Sequence, residues 1–177
     1  KFIVNATLFY DDNNASVTID KSNLALGKSA FEVKGKYDFK QKKFIDVEVQ
    51  GKDTNVQTVL SLLPNQITRP LKDYESNGEV YFSLSLKGEI SAKENPFLSV
   101  SFGFKNASFF HPEFRSKIEE ANLEGSFASA SVTDFSEAKL FLKNFSGKLN
   151  GKTFESNLSV QDFNDPLVAF DFKGSID

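Results

Sequence analysis

The chain has 177 residues, 40% hydrophobic and 25% charged, with a net charge of −3, 20 Phe, 1 His and no Cys, Met or Trp. That balance describes a folded protein and excludes a disordered one. Without cysteine there are neither disulfides nor thiolate metal sites, and lysines and arginines scattered along strand patterns, without a basic cluster, argue against nucleic-acid binding.

No apolar run approaches the roughly 18 residues of a membrane span, and no signal peptide opens the chain. Lys1 begins directly on a strand pattern without an initiator Met. These features read as a segment of a longer protein, with any anchor or export signal elsewhere. Frequent Lys, Asn, Phe and Ile fit an AT-rich bacterial genome. Pro and Gly fall at turns and never in a block, so residues 1–177 are expected to be one β-repeat segment with no internal linker.

Alternation of period two dominates. Phe2, Val4, Ala6, Leu8 and Tyr10 mark a first strand, Asp11 to Asn14 a turn, and Ala15, Val17 and Ile19 the return. Phe31, Val33, Gly35, Tyr37 and Phe39 alternate against Glu32, Lys34, Lys36 and Asp38 in the cleanest half-buried strand. Ile45, Val47 and Val49 alternate against Asp46, Glu48 and Gln50 after the polar connection Lys40 to Lys43.

The period then changes once. Thr54 with Gln57 resembles a capping box, Val56, Val59, Leu60 and Leu63 form one helical stripe, and Pro64 stops it. One short helix is therefore expected near 54–63, packed on a sheet face because it is marginal alone. Asn77-Gly78 returns the chain to strand, with Val80, Phe82, Leu84, Leu86 and Ile90 on one side. Leu98, Val100, Phe102 and Phe104 follow an Asn95-Pro96 corner. His111 to Ala121 reads either as a helical turn opened by Pro112-Glu113 or as an irregular edge strand. Strands resume at Leu123 to Phe127 and at Ala138, Leu140 and Leu142, then cross Asn150-Gly151, the strongest hairpin signal in the chain.

The grammar repeats. Gly88-Glu89-Ile90-Ser91 precedes Asn95-Pro96 and an alternating strand, as Gly147 to Thr153 precedes Asp165-Pro166 and Val168, Phe170 and Phe172. The last residues begin a further strand pattern, so continuation is expected. Stacked hairpins build scaffolds and grooves. The expected architecture is mainly β: an elongated antiparallel meander of repeated hairpins, forming a curved open sheet or groove, with the one short helix.

No motif carries catalysis. His111 has no nucleophile–base partner in its pattern, and one histidine without cysteine does not make a zinc site. Asp11-Asp12 and Glu119-Glu120 are adjacent pairs that a strand splits between faces, while Asp46 and Glu48 fit a wet sheet face better than a glycosidase pair. Gly147 to Thr153 echoes a phosphate loop with the spacer one residue short and no following helix. Asp11 to Asn14 and Asp162 to Asp165 lack the spacing and closing Glu of a calcium loop. Asn5-Ala6-Thr7, Asn106-Ala107-Ser108, Asn144-Phe145-Ser146 and Asn157-Leu158-Ser159 match the glycosylation sequon and read as chance in an Asn- and Ser-rich chain. What remains is the apolar rows: core, or in part an open face on which each lipid methylene gains about 0.8 kcal/mol.

Leu62-Leu63-Pro64, Asn77-Gly78-Glu79-Val80-Tyr81-Phe82, Leu86-Lys87-Gly88, Asn95-Pro96 and the closing Gly147 to Gly174 segment with Asp165-Pro166-Leu167 resemble the C-terminal periplasmic region of AsmA-like proteins. The resemblance covers most of the chain. It implies a repeating β-groove segment of a Gram-negative envelope protein, tethered to the inner membrane by an N-terminal helix outside this chain. It further implies a non-enzymatic role in outer-membrane biogenesis and phospholipid transport between membranes, without cofactor, with envelope proteins as further partners. The lipid-facing candidates are then Val80, Phe82, Leu84, Leu86, Val100, Phe102, Phe104, Val168, Phe170 and Phe172. The alternative is an adhesion or protein-binding β module of an exported bacterial protein. It predicts a closed sandwich that binds through loops such as Asp11 to Asn14 or His111 to Ser116.

Overall fold

The computed structural model describes residues 2–26, 29–39, 42–54, 75–113 and 115–175. The strands are β1 (Phe2–Asp11), β2 (Ser16–Leu26), β3 (Ser29–Asp38), β4 (Lys43–Asp53), β5 (Glu75–Ile90), β6 (Phe97–His111), β7 (Ser116–Ser129), β8 (Lys139–Leu149), β9 (Lys152–Gln161) and β10 (Leu167–Gly174). All ten lie in one open antiparallel sheet in chain order, so each pairs with its neighbours in sequence and β1 and β10 form the edges. Ordinary strand spacing makes such a sheet about 40 Å wide across the strands. The expected meander of hairpins is what forms, and the closed sandwich of the alternative reading does not.

Local chemistry explains where the chain turns. The amide and side-chain nitrogen of Asn14 both donate to the Asp11 carboxylate, at 3.1 and 2.6 Å, closing the β1–β2 turn. Asn150 and Gly151 carry positive φ of 49° and 85°, which the two-residue β8–β9 turn requires and which Asn and Gly tolerate at low cost. Asn95-Pro96 and Asp165-Pro166 stand immediately before β6 and β10, because proline cannot donate to a ladder and so falls before a strand starts. Asp162 Oδ1 accepts the amides of Asn164 and Asp165 at 3.0 and 3.1 Å, so the Asp162 to Asp165 oxygens serve a turn.

Two expectations come out differently or fall outside the description. The described residues of His111 to Ala121 form neither a helical turn nor an edge strand: His111 ends β6 and Ser116 starts β7, which lies between β6 and β8. The helical spacing of Lys117, Ile118 and Ala121 is overridden by pairing on both sides. Of the helix expected near 54–63, only Thr54 is among the described residues. It forms a bridge with Val80, to whose carbonyl its hydroxyl donates at 2.7 Å.

The sheet is amphipathic. Phe31, Phe82, Val100, Phe127 and Leu140 are buried and form the centre of one cluster, with Leu24, Val49, Leu84, Phe102, Leu142 and Val160 packed around it. The opposite side carries cross-strand ion pairs, Lys34 with Glu48 at 2.8 Å and Lys87 with Asp46 at 2.6 Å. Those contacts raise the pKa of both lysines, first through the hydrogen bond to the carboxylate and then through its charge. Asp46 and Glu48 thus sit on a wet, paired surface.

Candidate functional site

Because residues directly opposite in an antiparallel pair share a face, the register places all ten candidate residues. Val80 opposes Phe104, Phe82 opposes Phe102, Leu84 opposes Val100 and Leu86 opposes Leu98 across β5 and β6. Val100 continues through Phe127, Leu140 and Val160 to Val168 in β10. Phe102 continues through Gly125, Leu142 and Leu158 to Phe170. Phe172 lies two residues further along β10 and so on the same side. The ten therefore share one face, although they belong to β5, β6 and β10 and are separated in sequence by most of the C-terminal half.

They differ in access to solvent. Phe82 and Val100 are buried beneath their neighbours, Val80, Leu84, Leu86, Phe102, Phe104 and Phe172 are half-buried, and Val168 and Phe170 are 54% and 63% exposed. Among the described residues no second sheet lies over this face. The row is open at the β10 edge and closes toward the middle of the sheet.

Part of that closure comes from two connections the alternation does not mark. The β7–β8 connection carries Phe135 and the β9–β10 connection carries Phe163; both rings stand edge-on to Phe127, at 5.9 and 5.8 Å. The connections are tied to each other, Phe163 N to Phe135 O at 3.3 Å and Asp162 N to Ala138 O at 3.1 Å. Ser131 Oγ accepts the amides of Thr133 and Asp134 at 3.1 and 3.0 Å, and Asp134 Oδ1 accepts that of Ser136 at 2.9 Å. The Ser136 hydrogen bonds hold the Asp134 carboxyl below its ordinary pKa. The result is a braced strap over the Phe127 and Leu140 end of the face.

Toward the other ends of the strands the same face carries a line of rings. Phe104 meets Phe145 at 6.3 Å, Phe145 meets Phe154 at 5.0 Å, and Phe154 stacks on Phe172 at 6.1 Å. Between the strap and this aromatic line lies the row Gly125, Leu142, Leu158 and Phe170. A side chain at Gly125 would collide with the ring of Phe102, and one at Gly103 with the Leu123 carbonyl and the Tyr81 ring. Glycine here lets a large neighbour lie flat across the sheet.

Sequence reasoning missed Phe135, Phe145, Phe154 and Phe163. Phe135 and Phe163 sit in connections where period two gives no signal, Phe145 lies where a bulge shifts the parity of β8, and Phe154 in β9 is separated from Leu158 on the same face by the polar Ser156. Open depressions on the sheet are polar: one is lined by Asn77, Glu79, Lys105 and Ser108, another by Glu120, Lys148, Glu155 and Lys173. In the second, Glu120 is paired with Lys148 at 2.6 Å and Glu155 stands opposite Lys173. No group of three or more His, Asp or Glu among the described residues is arranged to hold a metal ion.

No family model, curated protein or solved structure matches this chain.

Proposed function

We propose that this chain is a non-catalytic periplasmic β-scaffold segment of an AsmA-like protein, acting in outer-membrane biogenesis by carrying phospholipid acyl chains between envelope membranes. In this reading it is tethered to the inner membrane through a helix outside the segment and works beside other envelope proteins. The observation that carries it is the single apolar face: ten candidates from three strands share one side of an open sheet whose other side is ion-paired. An acyl chain on such a face needs no catalytic group, since each methylene leaving water contributes about 0.8 kcal/mol. An open sheet suits this role better than the protein-binding module, which binds through loops at the end of a closed sandwich. Its Asp11 to Asn14 loop is already consumed by its own turn hydrogen bonds.

The test uses the 177-residue chain incubated with vesicles of phosphatidylethanolamine and phosphatidylglycerol, followed by native mass spectrometry. Phospholipid adducts are expected on the parent chain and are expected to disappear in Val168→Asp/Phe170→Asp, whose circular dichroism stays unchanged because both side chains are exposed. A parent chain that stays lipid-free, or a variant that keeps its adducts, overturns the proposal.

A further inference from the structure

We infer that the sheet contains a line of β-bulges held by asparagine side chains, and that these asparagines fix how the strands bend. The evidence is a geometry that occurs twice. In β6 and β7, the step from Phe104 to Ala107 opposes the shorter step from Leu123 to Ala121. In β8 and β9, the step from Leu142 to Phe145 opposes that from Leu158 to Ser156 in the same way. The extra residue is Asn106 in one hairpin and Asn144 in the other, with positive φ of 49° and 54°.

A bulged residue leaves the ladder, and its amide then needs another acceptor. Asn106 N donates to Asn122 Oδ1 at 3.2 Å, and Asn144 N donates to Asn157 Oδ1 at 2.9 Å. The accepting asparagines also use their other end. Asn122 Nδ2 donates to Glu120 O at 2.9 Å, and Asn157 Nδ2 donates to the Asp171 carboxylate at 3.1 and 3.2 Å. Asparagine suits both roles, because it tolerates the left-handed region and carries an acceptor and a donor on one short side chain.

The line extends to neighbouring strands. Glu120 in β7 has φ of 52°, at the irregularity between Glu119 and Asn122 against β8. In β5, Gly78 with φ of 142° lies opposite the Asn106 bulge, where the step from Asn77 to Glu79 opposes the longer step from Lys105 to Ser108 in β6. A single bulge bends one strand, whereas bulges side by side in β6, β7 and β8 bend the sheet at one level. Three of the four sequon asparagines take part in this geometry, and the fourth lies beside another irregularity. Asn106 and Asn144 are the bulged residues, Asn157 is an acceptor, and Asn5 lies at the β1–β2 irregularity, where Ser22 Oγ takes the Thr7 amide at 3.3 Å. The acceptors share a signature, Ala121-Asn122-Leu123 and Ser156-Asn157-Leu158, which recurs as Ser22-Asn23-Leu24 in β2.

The chain has no cysteine, so a spin-label pair at Lys139→Cys and Thr153→Cys reports the span of strands across the bulge line. Removing the acceptors with Asn122→Ala and Asn157→Ala is expected to broaden that distance distribution. It is also expected to speed hydrogen exchange of the Asn106 and Asn144 amides about tenfold. Asn122→Asp, which keeps an acceptor oxygen, restores protection at Asn106. Unchanged exchange and distance overturn the inference. Exchange that rises equally throughout the sheet overturns it as well, because the asparagines then support the whole fold and not the bend. Neither readout depends on what the apolar face carries.

Discussion

Phe82 and Phe170 stand in the same cross-strand row, on the same face, linked through Phe102, Gly125, Leu142 and Leu158. Phe82 in β5 is 4% exposed and Phe170 in β10 is 63% exposed. Residue type and strand pattern do not distinguish them; among the described residues, what differs is the number of strands alongside. Phe82 has strands on both flanks and a T-shaped contact with Phe31 at 6.1 Å, whereas β10 is an edge whose neighbour lies on one side only. Neighbouring strands supply lateral burial, so the interior of the sheet is better covered and the edge strands keep apolar surface exposed. β1 shows the same with Leu8, Phe9 and Tyr10.

The contrast is broken most directly by truncation. Phe82→Ala is expected to cost about 3–5 kcal/mol through transfer and cavity terms, while Phe170→Ala costs about 0.5 kcal/mol or less. Urea unfolding of the two variants measures both. Equal losses would mean that the interior of the sheet is no better packed than its edge.

Gly103→Ala comes next. The new methyl meets the Leu123 carbonyl, a backbone atom that cannot swing aside, as well as the Tyr81 ring. Overpacking of this kind costs about 1–3 kcal/mol, read as a lower urea midpoint. A neutral result would show that β6 and β7 shift freely, against the closer packing of the interior.

Thr54→Val removes the hydroxyl that donates to Val80 O at 2.7 Å. The expected loss is about 1 kcal/mol, with faster exchange confined to the β4–β5 end of the sheet. Exchange that rises at β10 instead would show that Thr54 does not act on the interior.

The smallest effect is electrostatic and belongs to the polar face. Lys34 and Lys87 have folded-state pKa values raised above 10.5 by Glu48 and Asp46. Their contribution is therefore fully present below about pH 10.5 and is lost as the pH rises through the higher folded values. Both pairs are solvated, so the change is slight. Urea midpoints at about pH 9 and about pH 11 should differ less in Lys34→Gln/Lys87→Gln than in the parent. Identical differences would mean that the pairs contribute nothing.

The strands could be read in sequence because each carries its own evidence. Alternation in Phe31 to Phe39, Val80 to Leu86 and Leu98 to Phe104 needs only a pleated backbone with one wet side. Asn150-Gly151 and the two Pro corners needed only local backbone sterics. Chain-order pairing also follows from short connections, which place consecutive strands side by side; the exception is β4 with β5, which pair across residues 54–74.

The rest depended on contacts between residues far apart in the chain. That Ile118 and Ala121 belong to a strand was decided by pairing with β6 and β8, which overrode a helical spacing. That Phe135 and Phe163 close over Phe127 was decided by two connections meeting, which no period encodes. The sequons were visible as strings, but their role required seeing that Asn122 faces the Asn106 amide and Asn157 that of Asn144. Sequence alone determined which residues alternate and where the chain turns, because those are one-strand properties. The tertiary structure alone decided register, bulges and which apolar side chains stay in water, because each of these is set by the neighbouring strand.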